Sequence, residues 1–217
     1  MTGPTVLVVA KAPVAGVAKT RVANEVGDAA AANLAAAALL DTLGSAVDSG
    51  LRVVVALTGD IRQAARTNEL RRALAALVVV PQVGASFGAR LARAHLDADD
   101  GHGVVQVGMD TPQLGAEDLS EAADRMVDHP SVLGPAADGG WWLLGVRHGS
   151  GASALAEIEM STPDTGEHTR AVLPQPTALL RILRDVDTWA DAGAVAAEIP
   201  NSRFAAAVRA VGDRIRT

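Results

Sequence analysis

Short apolar runs, rich in β-branched residues, alternate with longer helix-like stretches, and this alternation limits the possible folds more than any other feature of the sequence. Strand-like runs cover residues 5–10, 51–57, 77–81, 103–109, 131–136 and 141–147. Helix-like stretches cover 28–49, 60–74, 86–98 and 115–129. Because helical crossovers join parallel strands, the pattern predicts an α/β fold with a mainly parallel sheet covered on both faces. Without an internal repeat or a low-complexity linker, we expect one domain over 1–217.

Composition excludes several classes of protein. The chain has no cysteine, so disulfide frameworks, thiolate nucleophiles and cysteine-based zinc sites are ruled out. The formal net charge of -6 argues against a nucleic-acid binder. No run reaches 18 uninterrupted apolar residues, and the first residues lack the basic region of a signal peptide, so we expect a cytoplasmic protein without a membrane span. The sequence sets no oligomeric state.

Chemically interesting side chains follow several of the predicted strands. Lys11, Gln82, Asp110 and Asp138 each come directly after a strand-like run. Ligands of open α/β sheets bind beyond the carboxyl ends of the strands. The sequence therefore predicts a binding site at that edge.

The loop after the first strand, KAPVAGVAKTRV at 11–22, concentrates cations in an acidic chain. Lys11, Lys19 and Arg21 offer donors to phosphate oxygens, while Pro13 and Gly16 shape the turn. The spacing is not that of a Walker loop. A phosphate-binding loop and an ordinary solvated loop both fit these residues.

Three carboxylate-bearing stretches are the candidates for metal or substrate binding. In VVQVGMDTPQL, Asp110 ends a strand and fits either a metal ligand or a turn cap. In GPAADGGWWLLGV, Asp138 precedes Gly139 and Gly140, whose lack of side chains lets a ligand or another backbone come close. In LRDVDTWADAG, three aspartates crowd together, and Asp187 fits either a second metal ligand or, with Thr188, a helix cap.

Two tryptophans and an irregular segment complete the candidate site. Trp141 and Trp142 should point to opposite faces of a strand, so one fills the core and the other either packs or lines a pocket. The segment 148–177 is rich in small and polar residues and too long for an idle connection, which suggests a substrate loop or lid. Its Ser161 and Thr162 are candidate acceptor contacts.

In order, these stretches resemble the bacterial DUF2064 family of GT-A-type transferases, which is related to the nucleotide-diphospho-sugar transferases. The similarity runs through KAPVAGVAKTRV, QVGASFGARLARA, VGMDTPQL, GPAADGGWWLLGV, EMSTPDTGEHT and DVDTWADA, over about residues 5–192. It implies a three-layer α/β/α sandwich with a mixed, mainly parallel sheet. The family pattern usually has a Tyr pair where this chain has Trp141 and Trp142.

The resemblance also implies roles for particular residues. Asp110 would hold Mg²⁺ or Mn²⁺ together with Asp138 or Asp187, and Lys19 and Asp110 are the candidate catalytic residues. The predicted nucleotide- and phosphate-binding residues are Lys11, Pro13, Gly16, Lys19, Arg21, Gln82 and Gly84. The predicted acceptor residues are Asp138, Gly139, Gly140, Trp141, Ser161 and Thr162.

Three functions remain open at the level of the sequence. The first is a metal-dependent glycosyltransferase that uses a nucleotide-sugar and a small-molecule acceptor. The second is a guanylyltransferase-like nucleotidyltransferase that joins a nucleoside triphosphate to a small phosphorylated acceptor. The third is a non-catalytic protein that binds nucleotides without metal-dependent turnover.

Overall fold

The computed structural model describes residues 3–216. The strands are β1 (Thr5–Lys11), β2 (Val53–Thr58), β3 (Val78–Pro81), β4 (Val104–Val107), β5 (Ser131–Pro135), β6 (Trp141–Val146) and β7 (Thr177–Leu179). The α-helices are α1 (Thr20–Val26), α2 (Asp28–Asp48), α3 (Thr67–Leu74), α4 (Phe87–Ala98), α5 (Ala116–Asp128), α6 (Thr165–Val172), α7 (Trp189–Glu198) and α8 (Arg203–Arg216). Two 3₁₀ segments cover Ile61–Gln63 and Gly149–Glu157.

All seven strands belong to one mixed sheet in the order β3-β2-β1-β4-β6-β5-β7. The first four neighbours in this order run parallel, β6 is antiparallel to both β4 and β5, and β7 is parallel to β5. The prediction of a mainly parallel mixed sheet is therefore confirmed. Its parallel half brings the ends of β1, β2, β3 and β4 to one edge.

Alternating residues of the strands build two apolar layers. Val6 and Val8 of β1 face a core that α2, α3 and α5 complete, whereas Leu7 and Val9 face a core that α4 and the 3₁₀ segment Gly149–Glu157 complete. A third cluster joins the outer side of α2 to α1, α7 and α8. Helices thus cover both faces of the sheet, as the period-two pattern of a doubly covered strand requires.

Helix α2 is long and apolar enough, by length and composition alone, to cross a membrane. In the fold it is a core helix, because 67% of its most apolar window is buried inside the protein. Its Leu39 and Leu43 are buried against the sheet, and its Ala38 lies in the cluster shared with α8.

Three local predictions need correction. The helix predicted over 60–74 is broken, because Arg66 adopts a left-handed conformation (φ 52°) and its side chain donates to Asn33 at 2.8 Å. The loop predicted over 11–22 ends early, since α1 begins at Thr20 and includes Arg21. The irregular segment 148–177 contains the second 3₁₀ segment and α6, which leaves 158–164 and 173–176 as its irregular parts.

Candidate active site

A cavity of about 700 Å³ opens at the carboxyl-terminal edge of the parallel strands. This volume suits a nucleotide-sized ligand. Most of the predicted site residues line it: Lys11, Arg21, Gln82, Asp110, Asp138, Gly140, Trp141, Ser161, Thr162 and Asp187. The other predicted residues, Pro13, Gly16, Lys19, Gly84 and Gly139, are not part of the lining.

Lys19 is the central cation of the site although it does not line the cavity. Its Nζ lies 3.0 Å from Asp110 Oδ1 and 3.7 Å from Asp187 Oδ1, and it donates to the carbonyl of Val186. Arg21 contacts the other oxygen of Asp187 at 3.2 Å. The ammonium group of Lys19 therefore joins the loop that carries Asp110 to the loop that carries Asp187, although the two are remote in the sequence.

The first loop is held in place by its own backbone. Lys11 Nζ donates to the carbonyl of Val17 at 3.2 Å, and the carbonyl of Pro13 accepts a bond from the amide of Ala65 at 2.9 Å. Gly16 has a φ of 76°, a region that favours glycine. Pro13 and Gly16 thus shape the loop, and the lysines carry its charge into the site.

Asp110 and Asp187 both have surroundings that disfavour the capping alternative. Among the contacts of residues 3–216, the Asp110 carboxylate has Lys19 as its partner and no backbone amide. Helix α7 is capped by Thr188, whose hydroxyl accepts from the amide of Asp191 at 3.1 Å. Both carboxylates therefore remain available to a ligand in the cavity.

Asp185 also lines the cavity, although the sequence indicated it only as one of three crowded aspartates. Burial, with added repulsion from Asp110 and Asp138, raises the pKa of the Asp185 carboxyl to about 7. The hydroxyl of Thr111 donates to Asp185 at 3.2 Å. The available signal was its two-residue spacing from Asp187 around the buried Val186, because such spacing points two side chains to the same side of an extended segment.

The glycines of the site mostly allow backbone segments to approach one another. A Cβ on Gly139 would lie 2.0 Å from the carbonyl oxygen of Pro163, and one on Gly84 would lie 2.6 Å from the amide nitrogen of Arg90. Gly140 donates its amide to Asp138 at 2.9 Å. Of the two possibilities in the sequence, the structure shows another backbone next to Gly139.

The remaining predicted contacts are partly engaged by the protein itself. Gln82 donates its side-chain amide to the carbonyls of Ala10 and Ala56 at 2.8 and 3.0 Å. Thr162 pairs with the hydroxyl of Thr165 at 3.1 Å, whereas Ser161 is exposed.

The two tryptophans face opposite sides of the sheet, as predicted. Trp142 is buried in the core on the α2 side, and its indole donates to the carbonyl of Arg181. Trp141 packs on the α4 side, lines the cavity and donates to Thr169.

The donor chemistry of the cavity fits a hard divalent cation that shares its coordination with a substrate. Within residues 3–216, no group of three or more His, Cys, Asp or Glu side chains is arranged to hold a metal by itself. Mg²⁺, however, is usually bound through one or two carboxylates together with substrate phosphates. Asp110, Asp138, Asp185 and Asp187 offer such oxygens. A bound cation would also offset the repulsion from Asp110 and Asp138 that adds to burial in raising the pKa of Asp185.

The fold and the cavity define the class of nucleotide-diphospho-sugar transferase-like proteins. A candidate nucleotide-diphospho-sugar transferase from Desulfovibrio desulfuricans G20 is 27% identical, with a TM-score of 0.84 over 98% of this chain and 96% of that one. CMP:2-keto-3-deoxy-manno-octonic acid synthetase, solved with CTP, shares the fold at 12% identity and a TM-score of 0.55, covering 88% and 96% of the two chains. Rv0371c from Mycobacterium tuberculosis H37Rv, in complex with manganese, shares the fold at 23% identity and a TM-score of 0.52, covering 89% of this chain and 98% of that one.

The chain belongs to the family of uncharacterized proteins conserved in bacteria, DUF2064, whose model matches residues 39–162. The resemblance predicted from the sequence is thus confirmed, and so is the GT-A-type fold. A comparison with curated proteins gives no match. The names of the structural neighbours support the prediction of an enzyme that is a transferase.

Proposed function

We propose that this protein is a metal-dependent transferase that takes its activated group from a nucleotide-sugar and passes it to a small-molecule acceptor. One observation carries the proposal: carboxylates from separate loops and the cations of the first loop meet at one cavity beyond the parallel strands. Cleavage of a nucleotide-activated donor concentrates negative charge on its phosphates. A site of this composition suits that chemistry.

Each group of the site has a task in this proposal. Asp110, with Asp138, Asp185 or Asp187, would hold Mg²⁺ or Mn²⁺, which supplies a counter-charge for the diphosphate as the donor bond breaks. Lys19 and Arg21 would donate to phosphate oxygens and orient the leaving group. Ser161 and Thr162, which line the same cavity as Asp138 and Trp141, would contact the acceptor. Manganese in the complex of Rv0371c agrees with a divalent cation here.

Nucleotidyl transfer is the second candidate, and the first loop favours it. Lys11, Lys19 and Arg21 lie within one short stretch that follows β1, where several cations could engage a triphosphate. The neighbour solved with CTP has the same fold. In this reaction a small phosphorylated acceptor would attack the nucleoside triphosphate, and pyrophosphate would leave.

A panel of nucleotide-sugars and nucleoside triphosphates, each with Mn²⁺, Mg²⁺ or chelator, tests the proposal. A ligand present at 100 times its Kd should stabilise the folded protein by about 2.7 kcal/mol, which a thermal-shift assay detects. Release of nucleoside diphosphate from a nucleotide-sugar supports glycosyl transfer, and release of pyrophosphate in the presence of a phosphorylated acceptor supports the second candidate. Equal binding in metal and in chelator, without any product, would instead establish the non-catalytic nucleotide-binding protein.

A further inference from the structure

Arg90 lines the cavity with a guanidinium group that has no hydrogen-bonding or salt-bridge partner among the residues that the structure describes. It lies in the first turn of α4 and lines the cavity. Within residues 3–216, its side chain takes part in none of the hydrogen bonds or salt bridges, and its Nε is buried as well as unpaired. A buried donor without a partner destabilises the folded protein, because it has lost its hydrogen bonds to water and gained none in return. A ligand that binds in the cavity and accepts a hydrogen bond from Arg90 would remove this cost.

The other cations of the site differ from Arg90 in this respect. Lys19 contacts Asp110 and Asp187, Arg21 contacts Asp187, and Lys11 donates to a carbonyl of its own loop. Arg90 has no carboxylate within salt-bridge distance in the described part of the chain, although four aspartates line the same cavity. Of the cations discussed here, Arg90 is therefore the one whose side chain has neither a carboxylate nor a carbonyl of the described residues as a partner.

The position of Arg90 is fixed by tight packing around the start of α4. Ser86 caps the helix by accepting from the amide of Ala89 at 3.1 Å. Gly88 packs so closely that a Cβ would lie 2.0 Å from the carbonyl oxygen of Leu155. The guanidinium stacks over the ring of Phe87, 5.4 Å from its centre, which occupies a face of the group and leaves the donors along its edge unused.

We propose that Arg90 binds an oxyanion of the substrate, either a phosphate of the nucleotide or a phosphate or carboxylate of the acceptor. The edge of a guanidinium matches two oxygens of such a group with two parallel hydrogen bonds, and the unpaired Nε is one of these donors. Rotation of the terminal part of the side chain toward the cavity would satisfy Nε and the anion together. The inference rests on the proposed function and deepens it, because it adds an anion-binding residue from α4 to the cations that follow β1.

Calorimetric titration of the whole chain with three kinds of probe tests the proposal: uridine and guanosine diphosphates, the corresponding nucleosides, and inorganic phosphate. Arg90→Gln keeps part of the aliphatic stem and removes the charge, and Arg90→Lys keeps the charge without the fork. Arg93→Gln is the matched control, because Arg93 lies on the same helix and pairs with Asp97 outside the cavity. Melting temperatures confirm that each variant is folded.

We expect Arg90→Gln to weaken anion binding at least tenfold, Arg90→Lys to restore it only in part, and Arg93→Gln to bind as the wild type does. Loss of diphosphate binding with intact nucleoside binding identifies the nucleotide as the source of the oxyanion. Loss of phosphate binding to the protein already loaded with diphosphate identifies the acceptor.

If Arg90→Gln binds all probes like the wild type, the Arg90 proposal is overturned and the proposed function stands. If the wild type binds phosphate through Arg90 but no nucleotide, the proposed function fails and Arg90 stands. Binding of no probe by the wild type contradicts both.

Discussion

At the scale of single residues, the site depends on an ion pair that is worth little to the fold. Lys19 and Asp110 are 3.0 Å apart, but the Asp110 side chain is 45% exposed. Ion pairs exposed to this degree contribute about 0–1 kcal/mol to stability. Substitutions of these residues therefore separate a role in binding from a role in folding.

Asp110→Asn is expected to leave the melting temperature nearly unchanged and to abolish the metal-dependent part of nucleotide binding. Asparagine keeps the size of the side chain but lacks the negative charge that a hard cation requires. Titration of nucleotide in Mn²⁺ and in chelator measures the effect. Asp48→Asn, on the exposed end of α2, is the control. Metal-dependent binding that persists in Asp110→Asn would exclude this residue as a ligand.

Arg21→Ala is expected to weaken binding of a nucleoside diphosphate roughly three- to tenfold, since it removes one charged donor from the phosphate side of the cavity. Its side chain is exposed, so stability should change by less than about 0.5 kcal/mol. Arg62→Ala is the matched control, because Arg62 forms a similar exposed pair with Asp60 and does not line the cavity. Equal affinities of the two variants, measured by calorimetry, would return Arg21 to the role of a solvated surface residue.

At the scale of elements, the turn before β6 packs against the segment that carries Ser161 and Thr162, the residues proposed to contact an acceptor. Gly139 has a φ of 90°, and it packs against the backbone of Pro163 and of Gly166, the second residue of α6. The carbonyl of Gly139 accepts from the amide of Gly166 at 2.8 Å. The position of Ser161 and Thr162 therefore depends on how closely this turn packs.

Gly139→Ala is expected to destabilise the protein by about 1–3 kcal/mol, because the new Cβ would strain the backbone and overlap with Pro163. Gly193→Ala, at an exposed position of α7 with nothing within 4 Å, should instead stabilise by about 0.5–1 kcal/mol. Urea unfolding measures both changes. Two variants of equal stability would show that the turn readily moves aside.

The sequence predicted the elements that local patterns determine and missed those that depend on contacts between distant residues. Apolar runs predicted β1 to β6 and the helices with clear periodicity, but β7 is only three residues long and left no pattern to detect. The helix over 60–74 is interrupted because Arg66 reaches Asn33 of α2, a contact that no local pattern contains.

The candidate site shows the same division. Strand ends identified Asp110 and Asp138, whereas Asp185 and Arg90 became apparent only when the fold brought them to the cavity. Asp185 stands out because it is buried beside other carboxylates, and Arg90 stands out because its Nε has no hydrogen-bonding partner within residues 3–216.

At the scale of the whole molecule, two titrating groups act on stability with opposite signs. Burial lowers the pKa of His95 to about 4, although Gln106 accepts or donates a hydrogen bond at 2.9 Å. Because the unfolded chain then binds the proton more strongly, stability due to His95 rises with pH between about 4 and 6.5. The raised pKa of Asp185 has the reverse effect, so its contribution falls between about pH 4 and 7.

We therefore expect Asp185→Asn to make the free energy of unfolding rise more steeply with pH, by up to about 1.4 kcal/mol per pH unit relative to the wild type. His95→Gln should tilt the profile in the other direction between about pH 4 and 6.5. Urea unfolding at several pH values across this window gives both differences. Parallel profiles for Asp185→Asn and the wild type would show that Asp185 titrates in its ordinary range.

The contacts that close the site join distant parts of the chain, and this has a consequence for the order in which the protein is made. Lys19 meets Val186 across 167 positions, and Arg21 meets Asp187 across 166. At synthesis rates of about 5–20 residues per second, the cations leave the ribosome roughly 10–30 s before the carboxylate that holds them exists. A growing chain has the first loop and no complete pocket, so nucleotide cannot assist its early folding. Binding of a ligand in this cavity would therefore indicate that synthesis has passed Asp187.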